Sequence, residues 1–307
     1  MVFKNFGELI EKVGSAKRKR VVVAAAHDEH TLEAVFEAKK KGIIDFLLVG
    51  NSKKICEICI QLDFDIDESL IIEASDDAQA AFQAVEIIRQ GKGDFLMKGK
   101  MQTETLLKAV VDKQTGIRTD SIMSHVAILE VPAYHKIIAV TDGGMLTYPT
   151  LDQKKLIVIN ALNMFRLLGY EKPKVAVLAA VETVNEKMPE TVDANELKKL
   201  SLAGDFGHCV VDGPLSFDLI MSQESVKIKG FDSPVACDAD ILIAPNIHAG
   251  NILSKCMILT GGAKMAGCIV GAKVPIVLTS RGATSEEKYL SLVLSAASCN
   301  LKPEVKS

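Results

Sequence analysis

The stretch Val274-Pro275-Ile276-Val277-Leu278-Thr279-Ser280-Arg281-Gly282-Ala283-Thr284-Ser285-Glu286-Glu287-Lys288 reads as strand, turn and helix. Its apolar run, 274–278, has the unbroken character of a strand buried on both faces. Thr279 to Gly282 read as a turn, and Thr284 or Ser285 caps a helix whose first turn carries Glu286 and Glu287. A hydroxyl, a guanidinium and two carboxylates are therefore gathered where a strand ends. In open α/β sheets ligands bind at that end. An arginine there offers fixed donors to an oxyanion or phosphate, and a carboxylate can take a proton.

The same strand–turn–helix grammar runs outward from this corner. Residues 3–18 have helical spacing, 21–26 form an apolar strand ending in His27-Asp28-Glu29, and 30–41 form a helix stopped near Gly42. Strands at 46–50, 70–73 and 94–99 alternate with helices at 52–62, 77–91 and 101–111. Residues 124–129 and 136–142 read as a strand pair, punctuated by Gly143-Gly144 and Pro149. A second α/β half follows, with helices at 152–168, near 193–203 and at 215–224, and strands at 175–179, 209–214 and 241–246. A last helix, at about 285–298, returns to the first half. Such alternation argues for parallel strands joined by helical crossovers. The fold class is α/β with two lobes and a cleft between them. The expected domains are 1–143 plus 271–307, and 144–270.

Composition narrows the function classes. With 48% hydrophobic residues in 307, the chain can bury a sizeable core, as one large or two ordinary domains. A net charge of -3 argues against nucleic-acid binding by bulk charge, and no Trp with 5% aromatics argues against base-stacking platforms. No run of about twenty apolar residues suggests a membrane span. The first residues, with their acidic helical spacing, are unlike a signal peptide. Seven cysteines scattered through apolar segments fit a reducing cytoplasmic setting.

Several other features are candidates for chemistry. Lys98-Gly99 ends a strand, the next helix carries Lys108, and Arg118 sits in a loop; with Arg281 they suit a cationic pocket for phosphate or acyl phosphate. Lys108 also fits an ordinary solvated helix face. Ser124-His125 opens a strand, as a hydrogen-bonding site or a satisfied core pair. Asn246, Gly250 and Asn251 lie where a strand turns into a helix, as an anion site built on free N–H groups or as an ordinary strand–helix turn. Thr260-Gly261 and the glycines at 267 and 271 permit a close backbone approach, by a ligand or by a neighbouring helix. Cys56 and Cys59 have metal or redox spacing but no second pair, which favours packing in a helix. His27-Asp28-Glu29-His30 lacks the H-E-x-x-H order, and neither a phosphate-binding G-x-x-x-x-G-K-[ST] nor a well-placed G-x-G-x-x-G occurs.

Read together and in order, M-K-G at 97–99, S-H-V-A at 124–127, K-M-P at 187–189, V-V-D-G-P-L at 210–215, P-N-I-x-x-G-N at 245–251 and V-L-T-S-R at 277–281 resemble the phosphate acetyl/butyryltransferase family. The resemblance spans nearly the whole chain, from about Lys17 to the last helix. It implies a two-lobed fold like that of isocitrate and isopropylmalate dehydrogenases, with the active site in the cleft. It implies the reversible reaction of acyl-CoA and phosphate to acyl phosphate and CoA, with no cofactor and no metal, in an enzyme that forms homo-oligomers. In the family pattern the serine holds the CoA sulfur and the arginine holds the phosphate or acyl oxygen; these roles fall on Ser280 and Arg281. The acetyl branch has an aspartate as proposed base where Glu287 stands here, and the butyryl branch keeps a glutamate where Glu286 stands, which favours Glu286 as the base and leaves Glu287 as the alternative. Lys108 takes the place of a family arginine, keeping its charge without its bidentate geometry.

The expectation is a short-chain acyl transfer, butyryl before acetyl, by direct thiolate attack in a ternary complex. A nicotinamide-dependent hydroxy-acid dehydrogenase on the same scaffold would need an acidic metal cluster and a nucleotide loop. A CoA-binding scaffold without activity would tolerate exchange of Ser280 and Arg281.

Overall fold

The computed structural model describes residues 2–280 and 282–299. In chain order it begins α1 (Phe6–Gly14), β1 (Lys19–Ala24), α2 (Glu29–Lys40), β2 (Ile44–Gly50), α3 (Ser52–Gln61), β3 (Ile71–Glu73), α4 (Asp77–Arg89), β4 (Phe95–Lys98) and α5 (Thr103–Val111). It continues with β5 (Ser124–Glu130), β6 (Ile138–Thr141), α6 (Leu151–Leu168), β7 (Lys174–Leu178), α7 (Pro189–Ala203), β8 (Val210–Leu215), α8 (Asp218–Met221) and α9 (Gln223–Lys229). It closes with β9 (Ile241–Ile243), α10 (Ile247–Leu259), β10 (Lys264–Val270), β11 (Ile276–Val277) and α11 (Ser285–Ser298).

Two compact α/β units result, a flanking unit of Gly7–Ser121 and Ala266–Ser307 and a central unit of Met1–Phe6 and Ile122–Met265. The boundaries expected from sequence, 143/144 and 270/271, differ from these. The strand pair at 124–142 belongs with the central unit because β6 is hydrogen-bonded on one side to β5 and on the other to β9.

In the flanking unit the strand order is β3-β2-β1-β4-β11-β10. All neighbours are parallel except β10 with β11. Val21, Val22 and Val23 are completely buried, as a strand covered on both faces requires. Helix α11 lies against α2: the Lys288 ammonium meets Asp28 at 2.6 Å, and His30 Nδ1 meets Ser285 Oγ at 3.1 Å. In the central unit the order is β5-β6-β9-β7-β8, with β5 antiparallel to β6 and the rest parallel. Its core gathers Leu129, Ile138, Val140, Ala176, Leu215, Leu219 and Leu242.

Two local expectations change. The helix expected over 215–224 is two short ones, because the Ser222 hydroxyl accepts the Ser225 N–H and starts α9 afresh. The glycines at 267 and 271 belong to or follow a strand, β10, which the sequence reading did not anticipate.

Candidate active site

Three adjacent parallel strands, β1, β4 and β11, end side by side in the flanking unit. The chain leaving β1 carries Asp28, the chain leaving β4 carries Gly99 to Gln102, and the chain leaving β11 carries Thr279 and Ser280. These segments, with Lys98, Asp77 and Lys288, line a cavity of about 330 Å³. That is the low end of the range of about 300–1,000 Å³ for small-molecule sites.

Gly99 is dictated by backbone packing. Its N–H donates to Ala24 O at 2.8 Å and the next N–H, of Lys100, to Ala25 O at 2.8 Å. A Cβ on Gly99 would lie 2.1 Å from Ala25 O. The glycine therefore lets the segment after β4 cross the end of β1. The Lys98 ammonium is buried and donates to the Gly99 and Met101 carbonyl oxygens at 3.1 and 3.2 Å.

Ser280 is exposed, and its Oγ accepts the Gly282 N–H at 3.1 Å. Arg281, the residue expected beside it, lies outside the described residues. Thr284 caps α11 by accepting the Glu287 N–H at 3.2 Å, as the sequence pattern requires. Glu286 is exposed, whereas Glu287 is partly buried. Burial raises the Glu287 carboxyl above the usual range, against the opposing charge of Lys288. Neither glutamate is among the described residues that line the cavity; the carboxylates there are Asp28 and Asp77.

Asp28 caps α2 through the Thr31 N–H at 3.0 Å and also accepts from the Thr31 hydroxyl. Its burial pushes the carboxyl up, but the hydrogen bonds from Lys288 and Thr31 outweigh this and hold it below the usual range. Sequence reasoning missed Asp28 and Lys288 as cavity residues. The available signal was Asp28 directly after a fully apolar strand; Lys288 reads in sequence as any helical lysine.

Two other flanking-unit candidates are not in the cavity lining. Lys108 is on the exposed face of α5, 2.9 Å from Glu104 at i,i+4 spacing, with 75% of its side chain accessible. This is the solvated-face alternative. Arg118 is exposed, at an isolated bridge with Ala272.

The central unit gathers another set of expected residues where β6 ends. The Asp142 carboxylate accepts N–H groups from Gly144 at 2.7 Å, Met145 at 2.8 Å and His125 at 3.2 Å. Gly250 packs so closely that a Cβ would lie 2.6 Å from Asp142 O, and the Asn251 amide donates to Gly143 O at 3.1 Å. Asn246 caps α10 by accepting the Ala249 N–H at 3.1 Å. Burial lowers the His125 pKa, against the pull of Asp142. Its Nδ1 is buried without a hydrogen-bond partner among the described residues.

The remaining candidates have structural partners. Ser124 is fully buried and its hydroxyl receives the Asn160 amide at 3.0 Å, which is the satisfied-core alternative. Thr260 closes α10 by donating to Cys256 O at 2.5 Å, and Gly261 N–H donates to the same oxygen at 3.2 Å. A Cβ on Gly261 would lie 2.6 Å from Met257 O, so the close approach there is to the helix itself. The aspartate of V-V-D-G-P-L, Asp212, is taken up by Lys198 at 2.7 Å and by the Ser233 hydroxyl at 2.5 Å. Cys59 is buried in α3, and burial pushes its thiol up to about 11, as a packing role requires. Among the described residues no three His, Cys, Asp or Glu side chains form a group that could hold a metal ion.

Comparison with known proteins shows the family. The chain is 42% identical over 295 residues to a phosphate butyryltransferase of Clostridium acetobutylicum, covering 96% of this chain and 98% of that one. It is 40% identical over 291 residues to a phosphate acetyltransferase of Thermotoga maritima, covering 95% and 99%. A solved structure of a branched-chain phosphotransacylase from Enterococcus faecalis superposes with a TM-score of 0.81 at 35% identity, covering 92% of this chain and 99% of that one. The family described as phosphate acetyl/butaryl transferase matches residues 5–81 and 77–296. The chain belongs to that family.

Proposed function

We propose that the protein transfers a short-chain acyl group, butyryl before acetyl, between coenzyme A and phosphate, with no resident cofactor. The observation that carries this reading is the placement of Ser280 in one cavity with the buried Lys98, where three parallel strands end. Family membership supplies the reaction class.

In the direction of acyl-CoA synthesis, the CoA thiol loses its proton and the sulfur attacks the acyl carbon of the acyl phosphate. The C–O bond to phosphate breaks, and phosphate leaves. An unperturbed thiol has a pKa near ~8.5, so a hydroxyl and a carboxylate assist its deprotonation. Ser280 takes the sulfur-binding role. Arg281 stabilises the oxyanion that forms on the acyl oxygen, and the cationic cavity receives phosphate. Glu287 is the better proton acceptor of the two glutamates: burial raises its carboxyl toward the working pH, while Glu286 is exposed. Transfer is direct, in a ternary complex; an acyl-enzyme that survives denaturation would contradict this step.

The test is release of CoA thiol from butyryl-CoA with and without phosphate. Arg281→Ala should lower turnover by about a hundredfold or more, the usual cost of an oxyanion donor. A loss below about threefold would remove Arg281 from the mechanism. Acetyl-CoA turned over faster than butyryl-CoA would favour the acetyl reading, which the Thermotoga maritima relative keeps open.

A further inference from the structure

Lys288 sits in an expensive position. It lies in the first turn of α11, where the helix dipole disfavours a cation. Its side chain is only 8% exposed, although a lysine in an outer turn can ordinarily reach water. Instead it is turned inward to line the Ser280 cavity, held by Asp28 at 2.6 Å and by the Thr31 hydroxyl at 2.9 Å. Buried ammonium groups need such partners. The buried Lys98 lines the same cavity and donates to two neutral carbonyl oxygens. Among the described lining residues there are three cations, Lys98, Lys100 and Lys288, and two carboxylates, Asp28 and Asp77. Cations thus outnumber carboxylates among the described lining residues, and two of the ammonium groups, Lys98 and Lys288, are buried where an anion entering the cavity would meet them.

We propose that Lys288 is a phosphate-binding residue of the acyl transfer and that Asp28 is the positioning residue that aims its ammonium into the cavity. This rests on the proposed function. Asp28 suits the task because its carboxylate is itself fixed: it caps α2 while holding Lys288, so the N-termini of α2 and α11 are tied at the place where phosphate enters. Phosphate in the cavity then meets the Lys288 and Lys98 ammonium groups, and the Asp28 contact keeps the Lys288 chain in the inward rotamer.

The test measures steady-state thiol release against phosphate and against butyryl-CoA for the wild type, Lys288→Met, Lys288→Gln, Lys288→Arg and Asp28→Asn. Thermal-shift titration with inorganic phosphate is run alongside. Lys288→Met and Lys288→Gln should raise the phosphate KM by about 10–100-fold, the worth of one hydrogen bond to a charged group, and leave the KM for butyryl-CoA within about threefold. Lys288→Arg should recover much of the loss. Asp28→Asn retains an oxygen for the α2 cap and should raise the phosphate KM by a smaller factor. A purely structural role would lower stability without separating the two KM values. Lys288→Gln keeps a hydrogen-bonding side chain and so keeps the test open if the methionine variant does not fold. A folded Lys288→Gln protein with the wild-type phosphate KM would overturn the assignment and leave the acyl-transfer reading standing. Equal KM values for Asp28→Asn and the wild type would overturn the positioning role. If the wild type takes up inorganic phosphate in the thermal titration, Lys288→Gln does not, and no thiol is released by either, the reaction assignment fails while the phosphate site stands.

Discussion

Replacing Gly99 by alanine would place a Cβ 2.1 Å from Ala25 O, 2.8 Å from Ala25 C and 3.0 Å from Ala24 O. None of these atoms belongs to a flexible side chain that can swing aside; all three are backbone at the end of β1. The segment after β4 must therefore move away from β1, and the N–H bonds of Gly99 and Lys100 to Ala24 and Ala25 must lengthen with it. Forcing extra bulk into a packed site costs about 1–3 kcal/mol, and rigid backbone on the far side puts this case at the upper end. At about 2–4 °C per kcal/mol for a chain of this size class, the transition of the flanking unit should fall by about 6–12 °C. The catalytic effect should be larger than the stability effect. Lys98 precedes the glycine, and a shift of about 1 Å at a binding group can cost about a hundredfold in rate. Thermal melting and thiol release with Gly99→Ala would measure both. A variant within about 2 °C of the wild-type midpoint and within about threefold in kcat/KM would show that the close approach does not hold the site.

Gly250→Ala in the central unit should destabilise by a similar ~2–3 kcal/mol, since its Cβ would meet Asp142 O at 2.6 Å; urea melts would check this. Lys108→Gln should leave thiol release within about threefold and the melting midpoint close to that of the wild type, because the Glu104 pair is exposed on both sides; a tenfold loss of activity would restore it to the site. Glu287→Gln should lower kcat while Glu286→Gln should not, and the acid limb of the wild-type rate profile should lie above the ordinary glutamate range. For stability the sign follows from the same shift. The folded-state pKa of Glu287 is raised, so the folded chain holds the proton more tightly, and stability falls as pH rises from the ordinary glutamate range through the folded value. Glu287→Gln should lack that component, read as the difference between the two melting profiles against pH.

Much of this arrangement was legible in the residues because local chemistry and tertiary context agree. The stretch from Val274 to Lys288 declares a strand end and a capped helix, and both are present, with Thr284 as the cap. The apolar run at Val21–Ala26 announces a strand buried on both faces. What failed depended on partners distant in sequence. Residues 124–142 read correctly as a strand pair, but only the bond between β6 and β9 assigns them to the central unit. Strand β10 escaped notice because its central glycine, Gly267, resembles a turn residue; its N–H is in fact satisfied by the Ser291 hydroxyl at 3.0 Å. Glycine itself was ambiguous: Gly99 makes room beside a cavity, while Gly261 makes room only for its own helix. Polar residues divided the same way. Ser124 and Asp212 are used up by structural partners, whereas Asp28 holds a helix end and a cavity lysine at once. No spacing rule separates these cases before the chain is folded.

The most direct check of the central claim is a single comparison of wild type and Ser280→Ala for phosphate-dependent thiol release from butyryl-CoA. Ser280 is exposed and its recorded side-chain bond is local, to Gly282, so the variant should melt like the wild type. The account predicts that the wild type releases CoA only when phosphate is present and that the variant loses most of this turnover. Thiol release that ignores phosphate, or a folded Ser280→Ala protein with undiminished turnover, would contradict it.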